Sequence, residues 1–272
     1  MRFATIREGG TLSGAVVHGR RVVKVDAGTA VEAFLRRDRL TELAEYDYDR
    51  VRLASVSPAP AHILCVGLNY RSHIEELGRP APQYPAVFAK FASTLTGPGD
   101  DIVLPSISDH IDGEVELTVV IGRTVRREPV ESAAGAIAGY TVANDLSLRD
   151  WQHRTSEALQ GKVFDGSTPL GPVLVTPDEL DVTDARLTFS VDGEVWQTGS
   201  TGDLLFRPAE LVSYCSMFVT LRPGDLILTG TPAKTPAAGP SLAPGSTMVT
   251  TIDGIGSAIN RTVADADGTS PA

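Results

Sequence analysis

Glu114 and Glu116 stand two residues apart in the run Asp112-Gly113-Glu114-Val115-Glu116-Leu117-Thr118-Val119-Val120-Ile121-Gly122. An Asp-Gly turn opens this run, a glycine closes it and β-branched residues fill it, so it reads as one strand. Side chains alternate along a strand, which puts both carboxylates on one face with Thr118 and Val120. Neighbouring carboxylates repel unless water or a cation lies between them. A solvated outer face would satisfy them. The almost wholly apolar continuation past Glu116 instead puts them at the mouth of a core, where a divalent cation with a third oxygen ligand is the matching chemistry. Asp145 ends the strand-like Gly139-Tyr140-Thr141-Val142-Ala143 and precedes Arg149-Asp150-Trp151-Gln152, so it can supply that ligand or simply cap the helix that follows.

Other residues suit a reaction at such a centre. His73 and Glu76, at i and i+3 in Arg71-Ser72-His73-Ile74-Glu75-Glu76-Leu77-Gly78, meet on one face of a short helix ended by glycine. An imidazole held by a carboxylate is the arrangement of a general base, and it is also an ordinary surface pair. Lys162 sits among apolar residues, where its ammonium would stabilise an enolate or hold a carboxylate, or would snorkel from a surface strand. Thr229-Gly230-Thr231-Pro232 ends the apolar Leu226-Ile227-Leu228 in small hydroxylated residues that offer amides and hydroxyls to an anion, as an ordinary turn also would. No Gly-x-Ser-x-Gly elbow occurs, which argues against a serine-nucleophile hydrolase.

The elements that carry these residues are mostly strands. Phe3 to Arg7, Leu12 to His18 and Arg20 to Val25 form a meander, and Val31 to Ala44 has apolar residues at helical spacing. Ser57-Pro58-Ala59-Pro60 reads as a connector, giving a small domain over 1–60 and a larger one over 61–272. Beyond it, short runs separated by Gly/Pro turns indicate a β-rich body, with one clear helix from Pro208 to Phe218 and a polar tail at the end. The chain has 272 residues, 24 basic and 34 acidic, for a net charge of −10, with no dense basic block; nucleic acid and anionic membranes are therefore not expected partners. Cys65 and Cys215 lie far apart in apolar runs and read as buried thiols of a reducing compartment, so a soluble cytoplasmic protein is expected.

Taken in order, Cys65-Val66-Gly67-Leu68-Asn69-Tyr70 with His73 and Glu76, Lys90, Gly113-Glu114-Val115-Glu116-Leu117, Asn144-Asp145 with Arg149-Asp150-Trp151-Gln152, Lys162, Asp165-Gly166, Pro169-Leu170-Gly171-Pro172 and Thr229-Gly230-Thr231-Pro232 resemble the fumarylacetoacetate hydrolase family over residues 61–263. The resemblance implies an α+β, mostly β fold: a mixed β-sandwich roll with a small N-terminal α/β domain, assembled as a homodimer. It implies one Mg²⁺ or Mn²⁺ held by Glu114, Glu116 and Asp145, which agrees with the hard, all-oxygen donor set. It further implies Lys162 beside the metal, His73 and Glu76 as a dyad on a lid over the substrate, and substrate contacts from Thr231, Gly230 and Gln197. Arg71 is a possible carboxylate partner or a charge at the helix end.

The expected activity is C–C bond hydrolysis of acylpyruvate-like 2,4-dioxo acids through a metal-stabilised enolate, with His73 activating water. Oxaloacetate-type decarboxylation and isomerisation of 2-hydroxyhepta-2,4-diene-1,7-dioate use the same platform. One departure lies near the substrate: related chains continue Thr-Gly-Thr-Pro with Gly-Val-Gly, whereas this one reads Ala233-Lys234-Thr235-Pro236. Lys234 would meet an anionic substrate tail or face solvent, and solvent is the expectation.

Overall fold

The computed structural model describes residues 1–265, so the polar C-terminal stretch falls largely outside the described residues. The expected α+β, mostly β architecture is observed. A 12-stranded sheet runs, edge to edge, through Glu42–Asp47, Arg21–Val25, Thr11–His18, Arg2–Glu8, Thr168–Val175, Ile137–Asn144, Val115–Ile121, Leu226–Leu228, Ile63–Gly67 and Ala86–Lys90, with Arg52–Ala54 and Leu95–Thr96 attached to its side. A five-stranded sheet, ordered Glu194–Ser200, Arg186–Val191, Thr247–Ile252, Gly256–Ala264 and Ile102–Leu104, packs against the middle of the first. The middle strands are apolar on both faces. Val115, Leu117, Val119 and Ile121 enter one core, while Val120 joins Cys65, Ala143, Leu170 and Leu228 in a second. The face that carries Glu114 and Glu116 is therefore interior rather than a solvated outer face. Among the described residues no helix is long and apolar enough to cross a membrane.

The first sixty residues add their strands to the same large sheet: Arg2 and Phe3 pair with Val175 and Leu174. The Ser57 hydroxyl, buried in the expected connector, donates to the Gly224 carbonyl at 2.7 Å, so that segment is packed down on the main body. The helical reading of Val31 to Ala44 holds only in part. A helix covers Ala30–Leu35, capped by the Thr29 hydroxyl, a 3₁₀ turn covers Arg37–Arg39, and Glu42–Asp47 is an edge strand on Arg21–Val25. Unpaired backbone groups at a sheet edge outweigh the helical spacing of Leu40 and Leu43, and Leu43 ends up 56% exposed.

Strand register brings the chemistry together at one end of the large sheet. Val115–Ile121 pairs antiparallel with Ile137–Asn144 so that Val115 faces Asn144, and Asp145 then donates its backbone N–H to the Glu114 carbonyl. Thr118 opposite Leu228 puts Gly230 alongside Glu116. Asn144 fastens the two sheets: its amide donates to Thr250 Oγ1 at 2.9 Å and its oxygen accepts from the Glu114 N–H at 2.8 Å. Just before Glu114 the backbone must approach the fully buried Phe189 ring so closely that a Cβ on Gly113 would lie 2.5 Å from it. Gly113→Ala is therefore expected to destabilise the fold by about 1–3 kcal/mol through overpacking. Urea unfolding monitored by circular dichroism checks this, and a midpoint equal to wild type would show that the ring yields freely.

Candidate active site

Glu114, Glu116 and Asp145 are buried and each offers an oxygen within 4.8 Å of the others. Oxygens sharing one cation at about 2.0–2.6 Å cannot be more than about 5 Å apart, so the donor set and its spacing fit Mg²⁺ or Mn²⁺. One oxygen of Glu116 is aimed by the Gly230 N–H, which donates to it at 2.6 Å. Gly230 has φ +98°, and a Cβ there would sit 2.8 Å from the Val66 carbonyl, so only glycine brings this amide to the carboxylate.

Three cations balance the carboxylates. Lys162 Nζ donates to Glu114 at 2.7 Å and to Asp145 at 2.9 Å; Lys90 Nζ donates to the other Asp145 oxygen at 2.5 Å. The Arg149 guanidinium pairs with the second oxygen of Glu114 at 2.7 Å and with buried Asp112 at 2.8 Å. This uneven sharing drives the two glutamates apart. Burial raises the carboxyl of Glu114, but the charges of Lys162 and Arg149 overcome it and hold the group well below the usual range. Burial pushes Glu116 well above that range, and Asp145 and Glu114 push the same way against the weaker pull of Lys162 and the Gly230 amide. For Lys162, burial lowers the pKa and Asp145 and Glu114 more than compensate, so the ammonium stays charged.

This charged floor opens into a cleft of about 610 Å³ whose lining includes His73, Glu76, Phe88, Arg149, Lys162, Thr231 and Lys234. His73 and Glu76 project from the helix Arg71–Glu76, with His73 Nδ1 2.7 Å from Glu76 Oε2. With Glu76 accepting, Nδ1 carries the proton and Nε2 is left with a lone pair. The start of this helix is tied down. Asp203 accepts from the Ser72 N–H and hydroxyl, and Arg71 donates to the carbonyls of Asp203 and Leu204. Arg71 is thus spent on backbone and does not line the cleft, so it is a structural charge at the helix end.

Gln197 is likewise employed inside the protein. Its oxygen accepts from the Val115 N–H at 2.9 Å, and its amide donates to Thr231 Oγ1 and to the Pro232 carbonyl, both at 2.9 Å. It holds the Thr231 loop against the Glu114 strand and leaves no group for substrate. Thr231 reaches the cleft, but its hydroxyl donates to the Val115 carbonyl at 3.0 Å, which leaves it only weak acceptor capacity. Lys234 does not simply face solvent: its ammonium lies 2.5 Å from Asp112, on the cleft wall. Lys90 and Arg149 stand in the sequence among the residues that carry the resemblance and Asp112 opens the strand as a turn residue, but no site role is legible for them there. A lysine closing the apolar run Ala86–Lys90 and an arginine four residues past Asp145 were the signals available.

Glu116→Gln keeps the shape of the side chain and removes its charge, so it should weaken Mn²⁺ binding by at least tenfold while leaving the circular dichroism spectrum unchanged. The raised carboxyl of Glu116 makes a proton the competitor of the cation. Wild-type Mn²⁺ affinity should therefore increase with pH, and more steeply than in Glu116→Gln. Titration calorimetry at several pH values tests both points, and equal affinity in the two proteins would remove Glu116 from the ligand set.

Known proteins are similar to this chain in sequence and fold. Residues 62–263 match the model of the fumarylacetoacetate (FAA) hydrolase C-terminal domain. The mitochondrial oxaloacetate tautomerase FAHD2A of Bos taurus is 42% identical over 211 residues, 76% of this chain and 67% of that protein. Among solved structures, 5-carboxymethyl-2-hydroxymuconate delta-isomerase from Mycobacterium smegmatis has a TM-score of 0.83 and 34% identity, covering 97% of this chain and 99% of that one. Fumarylacetoacetate hydrolase from psychrophilic Exiguobacterium antarcticum has a TM-score of 0.85 and 30% identity, covering 97% of this chain and all of that one. A family model spanning most of the chain and solved structures spanning almost all of it lead to one conclusion: the protein belongs to the fumarylacetoacetate hydrolase family.

Proposed function

We propose that the protein is a Mg²⁺- or Mn²⁺-dependent enzyme that moves a proton at C3 of a 2-oxo acid, interconverting its oxo and enol forms. The observation that carries this reading is one base, His73, held by Glu76 at 2.7 Å beside a cleft whose floor is three clustered carboxylates and a charged lysine. A divalent cation on Glu114, Glu116 and Asp145 would supply Lewis acidity toward the 1-carboxylate and 2-oxo group of the substrate. The protein's own residues do the rest. His73 Nε2 takes the C3 proton, and the Glu76 carboxylate stabilises the imidazolium that forms. The Lys162 ammonium, which burial among carboxylates keeps charged, offers positive charge to the enolate oxygen. Return of the proton from His73 to either face or atom of the enolate gives tautomerisation or isomerisation. The tautomerase and isomerase names of similar proteins support this reading.

Hydrolysis of an acylpyruvate is the second reading, and one observation favours it. His73 and Glu76 keep 22% and 34% of their side chains exposed, so the dyad can hold a water as readily as it can face a carbon acid. The same proposal takes the enzyme to be a homodimer of a reducing compartment, in keeping with two buried free thiols; sedimentation velocity tests the assembly.

The two reactions separate in one experiment. Oxaloacetate, acetylpyruvate and fumarylpyruvate are incubated in D₂O with Mn²⁺ or with EDTA, and C3 deuteration and pyruvate release are followed by NMR. Catalysed deuteration of oxaloacetate without C–C cleavage, lost in EDTA and reduced about 10²- to 10⁴-fold in His73→Ala, is the expected result. Metal-dependent pyruvate release from an acylpyruvate would transfer the assignment to hydrolysis. Catalysis that survives EDTA would refute both readings.

A further inference from the structure

Lys234 lies in the segment that follows Thr229-Gly230-Thr231-Pro232, and the structure holds it firmly. Its backbone bridges to Gln197, the next N–H, of Thr235, donates to the Trp196 carbonyl at 2.8 Å, and Gln197 grips the Pro232 carbonyl just before it. The reach of the side chain is therefore fixed by the fold. Its ammonium ends on the cleft wall against Asp112, which is 2% exposed.

Asp112 has donors besides this lysine. It already accepts from Arg149 Nε at 3.1 Å and Nη2 at 2.8 Å, and from the N–H of Gly113 at 2.9 Å. A lysine ammonium has three N–H groups, and among the described residues its one contact is with Asp112, while the side chain keeps 33% of its surface exposed. The contacts from Lys234 to Asp112, Asp112 to Arg149 and Arg149 to Glu114 are 2.5, 2.8 and 2.7 Å. Lys234 thus stands a short diacid's length from the metal-binding floor. Its main-chain N–H also donates to Glu76 Oε1 at 3.3 Å, so the residue that fixes the far wall is joined to the dyad.

We propose that Lys234 is a specificity-determining residue: its free N–H groups bind the carboxylate at the far end of the substrate, so that the site selects 2-oxo diacids over 2-oxo monoacids. This rests on the 2-oxo acid reading of the site and names the substrate class within it. Arg149 commits four of its five N–H groups to Asp112, Glu114 and Gln152, whereas Lys234 has one described contact for three, which makes Lys234 the better-supplied donor of the two.

The test is calorimetric binding of 2-oxoglutarate, a diacid, and 2-oxovalerate, the monoacid of equal carbon number, to the Mg²⁺-loaded full-length protein and to Lys234→Ala and Lys234→Arg. The expected result is tighter binding of the diacid by wild type and a roughly tenfold or greater loss of that affinity in Lys234→Ala. Monoacid affinity should stay within twofold, and Lys234→Arg should recover most of the preference. Equal losses for both acids would mark a structural role and overturn the proposal, as would an undiminished diacid preference in Lys234→Ala. If wild type binds neither acid, the 2-oxo acid reading fails and this inference fails with it.

Discussion

Three carboxylates share a space from which water is nearly excluded, and this condition governs the rest of the structure. Glu114, Glu116 and Asp145 would each be costly to bury alone, because an unpaired charge removed from water loses far more than any one contact returns. The protein answers with cations that are themselves buried or half-buried. Lys90 and Lys162 grip both oxygens of Asp145, while Lys162 and Arg149 divide Glu114 between them. Glu116 is left with the Gly230 N–H as its one described hydrogen bond, and its carboxyl is the one that burial and its neighbours drive upward. The unevenness has a chemical meaning. A site neutralised completely by lysine and arginine would have no use for a metal, whereas one under-compensated carboxylate among three gives a divalent cation something to gain.

The fold is the means of meeting that condition. A carboxylate on a loop could swing away from its partners, but Glu114 and Asp145 are joined through backbone and through Asn144, and Glu116 lies within a seven-residue strand that is buried throughout. Gly113 and Gly230 matter for the same reason, since each lets the backbone pass where a Cβ would collide with a wall. The second sheet contributes through Phe189 and Thr250, which press on that corner from the opposite side. Rigidity on the floor contrasts with the dyad, which sits on a helix of six residues anchored at its start by Asp203 and half open to solvent beyond.

Much of this floor was legible in the sequence, because the residue types are chemically specific and their spacing implies strand geometry. Glu114, Glu116 and Asp145 stand out in the sequence by residue type and position, and the structure brings them together. What the sequence concealed were contacts between distant positions. Lys90 meets Asp145 across 55 positions and Arg149 meets Asp112 across 37, and no local pattern encodes either. Gln197 shows the opposite. Its polar groups suggested contact with substrate, but buried backbone amides and carbonyls need partners too, and it supplies them, as Arg71 does in the helix-end role that was its other reading. The misread strand at Glu42–Asp47 has the same root, since the demand of a sheet edge for backbone partners cannot be seen in the spacing of two leucines.

A carboxylate floor with a cation cannot by itself select one reaction, because the enolate it would stabilise can arise by loss of a proton, by loss of carbon dioxide or as the leaving group of a hydrolysis. Selection must therefore come from groups that touch the substrate beyond C3. On the proposed reading those groups are His73, Glu76 and Lys234 on the cleft wall, and they are mechanically connected, since the Lys234 amide holds the same carboxylate that pairs with His73. A ligand that engages the far wall thereby acts on the geometry of the base. Binding energy from a part of the molecule that does not react is spent on placing the part that does, which is how remote contacts raise turnover as well as affinity. On that reading the residues just after Thr231, Lys234 among them, tune the choice of substrate without touching the three clustered carboxylates.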